Sequence, residues 1–301
     1  MRTVNELINL DINYYKKNNN DLSKLSDQEC VKHYFMYGYW EGRNSSNICT
    51  RENFIPLFEK KLNLLEIGPF TSPSFTGEGV KYFDVLSQQE LIKRANKLNL
   101  QADSVPYIDY THKTGSLKII KEKFDVVYSS HCIEHQPNLI GHLNEVSEIL
   151  NKEGYYALII PNASYCFDAN LPLSKISEVL NANAENRTVH TIGSVVEHEA
   201  LTTHNDQLKH WEFEAKLRRA GLTGRNYQPL DIDRLRNAID VYDRKIGSYV
   251  DVHAWQFDPL VFSDICHCLI DLKIISFDKV YCNGPVYGRN EFTAILKKSL
   301  K

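Results

Sequence analysis

The chain has 301 residues, of which 43% are hydrophobic and 24% charged, so it can bury a full α/β core and a small additional module. Its net charge of −3 provides no basic footprint for nucleic acid, and no apolar run reaches the roughly 18 residues that a membrane span needs. The amino terminus lacks a secretory signal pattern, and the seven cysteines form no CxxC pair. We therefore expect a cytoplasmic protein with reduced thiols, and we predict no particular oligomeric state.

The first 48 residues differ in pattern from the rest of the chain. Aromatic residues recur at helical spacing between Tyr34 and Trp40, and Gly42 with residues 44–46 then ends the pattern, as a helix end and a linker would. We predict a small helical module over residues 1–48, whose aromatic side chains form either its core or a platform for sugar rings. The segment resembles a module that accompanies many bacterial glycan-building enzymes, through Asp11, Tyr14, Tyr15, residues 20–22, His33, Tyr34, Gly38 and residues 41–43.

From residue 49 to residue 301, β-rich runs alternate with polar segments that have helical apolar spacing. The runs, in chain order, are KLNLLEIG, VKYFDV, VPYIDY, FDVVYSS and GYYALIIPN. Strict alternation predicts an α/β fold, a Rossmann-like parallel sheet with helices on both faces. KIISFDKVY and EFTAILKK have no helix between them, which predicts a terminal antiparallel strand. Residues 163–228 exceed what such a sheet requires, so we expect them to form an insertion that covers its mouth.

The stretch LLEIGPF, residues 64–70, places a carboxylate inside a buried strand and then breaks that strand at glycine and proline. Open α/β sheets bind ligands beyond the carboxyl ends of their strands. A carboxylate after the second strand can accept both hydroxyls of a ribose, and one after the third can reach the amino group of adenine. Neither G-x-G-x-x-G nor G-x-x-x-x-G-K-[ST] provides a phosphate cradle, so a positively charged nucleoside is expected. The residues predicted at this edge are Gly68, Pro69, Phe70, Asp84, Asp109, Tyr110, Ser129, Ser130 and His131.

Residues 62–162 resemble a class I S-adenosylmethionine-dependent methyltransferase of the glycan and capsular polysaccharide biosynthesis type. The resemblance rests on LLEIGPFTSP, YFDV, YIDY and FDVVYSSHCIEHQPNLIGHLNEVSEILNKEGYYALIIPN, with YVDVHAWQFDPLVF and NEFTAILKK similar to the closing strands of that subgroup. It implies S-adenosylmethionine as the cofactor, with Glu66 positioning the methionine end and Gly68 allowing close approach. The alternative for Glu66 is a buried structural acid. The predicted cofactor-binding set is Glu66 with the edge residues from Gly68 to Ser130; Pro69 departs from the usual glycine-rich loop, as it does in that subgroup.

Methyl transfer from a sulfonium is an in-line displacement, so positioning supplies much of the rate. A hydroxyl nucleophile also benefits from a base, and histidine suits that role near neutral pH. His131 directly follows the fourth strand, and His253 precedes the helix that Asp258 and Pro259 open. We predict both as catalytic residues; for His131, a role in the structure of the cofactor loop is the alternative.

The insertion and the segment after it supply the predicted acceptor contacts. These are Asp168, His204 and His210, together with Trp255. With Asp206, the first three could instead hold a divalent metal, but the spacing of the histidines matches no compact metal motif. We therefore predict contacts to the acceptor and no metal site.

Three functions compete at this stage. The first is an O-methyltransferase acting on a sugar hydroxyl in capsule or lipopolysaccharide biosynthesis, alongside other glycan-biosynthesis enzymes, with a phosphate or phosphoramidate oxygen of a capsule precursor as the alternative acceptor. The second is a non-catalytic cofactor-binding partner in a glycan assembly, which would not need histidines at the pocket mouth. The third is a nicotinamide enzyme, which the missing G-x-G-x-x-G motif disfavours.

Overall fold

The computed structural model describes residues 3–60, 63–213, 215 and 230–298. The strands are β1 (Leu64–Ile67), β2 (Val80–Asp84), β3 (Tyr110–Thr111), β4 (Phe124–Ser130), β5 (Leu150–Pro161), β6 (Phe277–Cys282) and β7 (Glu291–Lys298). The α-helices are α1 (Ile12–Asn18), α2 (Asp27–His33), α3 (Tyr39–Glu41), α4 (Arg51–Phe54), α5 (Gln88–Lys97), α6 (Leu139–Ile149), α7 (Ile176–Ala184), α8 (Ile192–Val196), α9 (Gln207–Trp211), α10 (Ile232–Arg244) and α11 (Pro259–Asp271). None of these described helices combines the length and apolar character that crossing a membrane requires.

The seven strands form one sheet in the order β3-β2-β1-β4-β5-β7-β6. The first five strands are parallel, and β7 runs antiparallel to both of its neighbours, β5 and β6. The predicted α/β, Rossmann-like sheet with a terminal antiparallel strand is confirmed. Because β1 lies between β2 and β4, the strand order reverses at the β1–β4 boundary, and a crevice opens there beyond the carboxyl ends.

The two faces of the sheet are packed on separate hydrophobic clusters. Along β5, Tyr156, Leu158 and Ile160 belong to the larger cluster, whereas Ala157 and Ile159 belong to the smaller one on the opposite face. This period of two follows from the pleat of a strand. Fully burying a side chain of leucine or isoleucine size contributes roughly 1.5–3 kcal/mol. The central strands are therefore rigidly held, which fixes the positions of the loops at their carboxyl ends.

The helices that cover the larger cluster begin at side-chain caps. The Asn138 side chain accepts from the N–H of Gly141 at the start of α6, and the Asp258 side chain accepts from the N–H of Val261 at the start of α11. These caps satisfy N–H groups that have no partner within the helix. Pro259 occupies the first turn of α11, where no intrahelical N–H bond is lost, as the sequence predicted.

The amino-terminal module packs around Tyr15, Tyr34 and Tyr39, all of which are buried. It contacts the end of β6 and the loop after it. The Asn9 N–H donates to the Cys282 carbonyl at 2.7 Å, and the Ser46 hydroxyl donates to the Asn283 side chain at 2.8 Å. The expectation of a linker near residues 44–46 is wrong, because two of those residues, Ser45 and Ser46, are buried in this contact.

Residues 1–48 nevertheless contain none of the predicted cofactor contacts. That they can be removed without loss of cofactor binding therefore stays a prediction. Removing them leaves the buried Asn283 amide without the Ser46 hydroxyl, and one such loss costs about 1–3 kcal/mol. We expect the truncated chain to unfold at a lower temperature than the full chain. We also expect it, where folded, to bind S-adenosylmethionine with unchanged affinity in calorimetry. Weaker binding by a folded truncated chain would show that the module shapes the crevice.

Candidate active site

The loop after β1 is shaped for close approach of a ligand. Gly68 has a φ of +70° and Phe70 a φ of +42°, a left-handed region that glycine adopts readily. A Cβ on Gly68 would lie 2.5 Å from the Cys132 sulfur, so no side chain fits there without movement of its neighbours. Pro69 lies between these two residues, and the turn directs the chain across the carboxyl end of β1.

Glu66 holds this loop against the strand. It is buried, and its two oxygens accept hydrogen bonds from the N–H groups of Ser74, at 2.8 and 3.0 Å, and of Phe75, at 3.1 Å. Burial raises the pKa of Glu66 to about 7, while these N–H donors oppose the shift by favouring the carboxylate. The geometry matches the buried structural acid that was the alternative. Any effect of Glu66 on the methionine end of a cofactor acts through this loop.

Asp84 lies at the carboxyl end of β2, where the sequence predicted a ribose acceptor. It is buried, Oδ1 accepts from the Leu86 N–H at 2.9 Å, and burial raises its pKa to about 6. Arg94 of α5 is near it, with the guanidinium carbon 5.4 Å from the centre of the Phe70 ring and an ion pair to Asp251. A carboxylate, an aromatic ring and a guanidinium therefore surround the crevice beyond β1 and β2.

Asp109 and Tyr110 do not lie where the sequence predicted. The third strand begins at Tyr110 rather than ending there, because only Tyr110 and Thr111 pair with β2. Asp109 accepts from the N–H of Tyr82 at 2.9 Å. The Tyr110 hydroxyl donates to Glu122, which precedes β4, so it lies toward the amino end of the sheet. We therefore assign neither residue to an adenine contact; the structure places His112 after β3 instead.

The last two residues of β4, Ser129 and Ser130, and His131 directly after it have different environments. The Ser129 hydroxyl is buried and lies 3.0 Å from the Tyr156 hydroxyl, within the sheet, which removes it from the predicted cofactor contacts. The Ser130 hydroxyl accepts from Arg51 at 2.8 Å. His131 has a φ of +53°, and its side chain is partly exposed at the crevice.

His131 is oriented by a hydrogen bond that the sequence did not predict. Its Nε2 lies 2.9 Å from a carboxylate oxygen of Glu291, the first residue of β7, and Arg51 bonds both oxygens of that carboxylate. Because a carboxylate can only accept, Nε2 carries the hydrogen and Nδ1 is left as the acceptor in neutral His131. Burial alone would raise the pKa of Glu291, but the hydrogen bonds from His131 and Arg51 lower it to about 2.

The low pKa of Glu291 predicts pH-dependent stability. The carboxylate stabilises the folded state fully above the ordinary glutamate pKa of about 4.5, and this stabilisation is lost as the pH falls toward 2. We expect Glu291→Gln to lower the free energy of unfolding by about 2 kcal/mol at pH 7 and by less than half of that at pH 3. Urea unfolding at both pH values measures this. An equal loss at pH 7 and pH 3 would mean that the ion pair is not the cause.

A cavity of about 360 Å³ opens beyond β4 and β5. Both predicted catalytic histidines, His131 and His253, line this cavity. Next to it, the buried Asp168 carboxylate lies 2.6 Å from His253 Nδ1, so this residue contacts a histidine rather than solvent. The lining consists of His131, Glu134, His135, Pro161, Cys166, Phe167, His198, Asn205, Asp251, His253 and Asn290.

The other predicted acceptor contacts lie outside this lining. His204 and His210 stack at 4.2 Å between ring centres, and His210 Nε2 donates to the His204 carbonyl at 2.9 Å. Trp255 is buried in the larger hydrophobic cluster and donates to the Gln136 carbonyl. Of the predicted insertion, residues 163–213 and 215 are described, and they supply Cys166, Phe167, His198 and Asn205 to the cavity. Residues 214 and 216–228 lie outside the described residues.

Sequence reasoning missed the carboxylates at the floor of the cavity. Glu134 is fully buried beside His135 and His253, with its Oε1 3.6 Å from Nε2 of His135 and 3.9 Å from Nε2 of His253. Asp251 lies 3.3 Å from Nδ1 of His135. The available signal was the adjacent acid and imidazole of HCIEH, directly after a strand that ends at the crevice.

Part of this chain is similar to known proteins. A family model described as a methyltransferase domain matches residues 71–158, from the loop after β1 into β5. A search of the curated proteins finds no match. The solved structures that align include the CcbJ methyltransferase of Streptomyces caelestis, at 15% identity over 37% of this chain and 51% of that one, with a TM-score of 0.28. They also include an S-adenosylmethionine-dependent methyltransferase of Clostridium acetobutylicum, at 15% identity over 53% of this chain and 62% of that one, with a TM-score of 0.28.

TehB of Haemophilus influenzae aligns at 15% identity over 38% of this chain and 41% of that one, again with a TM-score of 0.28. The chain thus spans between 41% and 62% of the length of these three structures.

Proposed function

We propose that this chain, which carries a methyltransferase domain over residues 71–158, is an S-adenosylmethionine-dependent methyltransferase whose acceptor binds in the cavity beyond β4. The observation that supports the proposal most is that the crevice beyond β1 and β2 lies next to the cavity beyond β4 and β5. The crevice bounded by Gly68 and Asp84 has the features expected of a nucleoside site, and Asp251, which pairs with Arg94 beside that crevice, also lines the acid- and imidazole-lined cavity.

The cofactor would lie across the carboxyl ends of β1 and β2. Gly68 and Pro69 allow close approach to the backbone, and Asp84 would accept the two ribose hydroxyls. Phe70 offers a ring face beside them, and Ser130 is the remaining predicted contact after β4. Of the two carboxylates in this region, Asp251 is paired with Arg94, so the charge of Asp84 is the one that would favour a positively charged sulfonium.

The chemistry that we propose assigns the proton to His131. Nδ1 of His131 would take the proton of an acceptor hydroxyl, while Glu291 holds Nε2–H in place. When bound, S-adenosylmethionine would supply the methyl group to this oxygen, with its carbon–sulfur bond breaking as the carbon–oxygen bond forms and S-adenosylhomocysteine as the leaving group. His131 would then release the proton to solvent. His253 was the second predicted base, but its Nδ1 is bonded to Asp168 and its Nε2 faces Glu134.

The charges of the residues that line the cavity favour one class of acceptor. Its described lining contains Glu134 and Asp251 and no lysine or arginine. Lysine and arginine are the side chains that ordinarily bind a phosphate-type anion, and carboxylates accept hydrogen bonds from hydroxyls. We therefore propose a sugar hydroxyl as the acceptor. Its place in capsule or lipopolysaccharide biosynthesis, with other enzymes of that pathway as partners, is supported by the sequence resemblance of residues 1–48 and of the closing strands.

Transfer of a labelled methyl group tests this proposal. The full chain is incubated with methyl-labelled S-adenosylmethionine and two sets of acceptors, nucleotide-linked or oligomeric sugars and phosphorylated compounds without sugar hydroxyls. We expect label only in the sugar set, at an oxygen whose methyl ether survives mild base. Label confined to the phosphorylated compounds would overturn the sugar assignment. Label in neither set, with S-adenosylmethionine bound, would favour the non-catalytic partner.

A further inference from the structure

Three side chains at the floor of the cavity present ligand atoms to one point. They are Glu134, His135 and His253, and one donor atom from each lies within 4.8 Å of the other two. An ion bonded at about 2.1 Å to each of two neighbouring ligands separates them by roughly 3–3.5 Å. The distances of 3.6 Å and 3.9 Å from Glu134 Oε1 to the two Nε2 atoms need only slight closure to reach this range.

A carboxylate lies beside the second ring nitrogen of each histidine, and at His253 it forms a hydrogen bond. Nδ1 of His253 lies 2.6 Å from Asp168, and Nδ1 of His135 lies 3.3 Å from Asp251. In metalloproteins, a ligating histidine almost always donates its second N–H to a carboxylate, a carbonyl or water, which fixes the ring and directs the other nitrogen at the ion. His253 shows this arrangement, whereas Nδ1 of His135 makes no hydrogen bond within the described part of the chain. Nε2 of both histidines lies within 4 Å of the Glu134 carboxylate, at 3.6 Å for His135 and 3.9 Å for His253.

The Glu134 carboxylate supplies a second, independent observation. It is fully buried, and within the described part of the chain neither of its oxygens has a hydrogen-bond partner. A carboxylate buried without donors is costly, and native proteins pair such groups with other groups or with metals. Its backbone carbonyl accepts from the N–H groups of Ala254 and Trp255, which joins the two segments that carry the ligands.

We propose that Glu134, His135 and His253 bind a divalent transition-metal ion, with Asp168 as the positioning residue behind His253. Two imidazoles and one carboxylate suit Zn²⁺, Fe²⁺ or Mn²⁺, whereas Mg²⁺ and Ca²⁺ prefer all-oxygen ligands. Three protein ligands leave coordination positions open toward the cavity, as in catalytic rather than structural sites.

The role of the ion rests on the proposed function. In the cavity it would bind the acceptor hydroxyl as a Lewis acid and stabilise the alkoxide that develops on the attacking oxygen. His131 lines the same cavity and is not one of the three ligands, so it remains free to take the proton. The sequence-based expectation of no metal weighed only Asp168, His204, Asp206 and His210. The structure brings only the first of these near the site, as the support of a ligand.

Metal binding is measured on the full chain without reference to activity. The protein is stripped with a chelator, and Zn²⁺ and Mn²⁺ are titrated separately by calorimetry. Co²⁺ is added in a parallel sample for its visible absorption. We expect one ion per chain, a rise in melting temperature on binding, and Co²⁺ bands typical of nitrogen and oxygen ligands. Wild-type protein that binds none of these ions would overturn the proposal.

Variants locate the ion. We expect Asp168→Asn to weaken affinity by roughly 10–100-fold, as loss of a partner behind a ligand does, and Glu134→Gln and His253→Ala to weaken it more. Glu134→Gln keeps the shape of the side chain, and circular dichroism checks that each variant folds. His204→Ala is the matched control, because His204 is an exposed histidine outside the cavity. Unchanged affinity in folded Glu134→Gln and His253→Ala, or a loss in His204→Ala, would overturn the assignment.

The catalytic role is tested separately. Stripped protein should bind S-adenosylmethionine with unchanged affinity but lose methyl transfer, and added Zn²⁺ or Mn²⁺ should restore it. Full transfer by stripped protein would remove the ion from the reaction, although the binding site would stand. Failure to transfer methyl under any condition, with one ion bound per chain, would overturn the proposed function and not the metal site.

Discussion

Gly68→Val should weaken S-adenosylmethionine binding by at least 100-fold. A valine at φ +70° is strained, and its Cβ would lie 2.5 Å from the Cys132 sulfur at the turn where the cofactor approaches. Opening that contact displaces residues 68–70 into the crevice. Calorimetric titration measures the loss, and circular dichroism verifies the fold.

Gly247→Val is the matched control for this prediction. Gly247 has a φ of +75°, close to that of Gly68, but a Cβ there meets nothing within 4 Å. The two variants therefore share the backbone strain and differ in the contact. Equal affinity losses in both variants, or undiminished binding by Gly68→Val, would show that close approach at Gly68 is not required.

His131→Ala should lower kcat by about 10²–10⁴-fold, the usual contribution of a positioned base, with little change in cofactor affinity. His131→Asn separates the base from the structural role. Asparagine keeps an N–H donor for Glu291 but cannot take a proton. We expect both variants to lose turnover. Retained kcat in His131→Asn, with loss only in His131→Ala, would make His131 part of the structure of the loop.

The strand pattern allowed most of the sheet to be predicted. FDVVYSS corresponds to β4 and EFTAILKK to β7, because both strands have a neighbour on each side and most of their residues are buried or half-buried and apolar. The run VPYIDY gave a wrong strand end. Its β-propensity indicates that it could form a strand, but pairing with a neighbouring strand decides which residues do so. Only Tyr110 and Thr111 reach the end of β2, so the predicted strand end was shifted to its start.

The residues of the site also fall into two groups, those that a strand end locates and those that only the folded chain brings together. The places of Gly68, Asp84 and His131 at the carboxyl ends of strands could be predicted because the ends of β1, β2 and β4 were correctly located, and their roles stay predictions. Side chains that meet through the folding of distant segments gave no such signal. Asp168 and His253 meet as a hydrogen-bonded pair, and Glu291 reaches His131 only because β7 enters the sheet beside β5. Trp255 misled because an aromatic residue near a pocket has the same appearance in sequence as one in the core.

Calorimetric titration of S-adenosylmethionine into the full chain and into Asp84→Ala tests the account most directly, with NAD as the competing ligand. Asp84 is buried at the end of β2, and we propose that it accepts both ribose hydroxyls. We expect one S-adenosylmethionine per wild-type chain, no binding of NAD, and loss of most of the affinity in Asp84→Ala. Preferential binding of NAD, or no binding of S-adenosylmethionine to wild-type protein, would contradict the assignment of this chain as a methyltransferase.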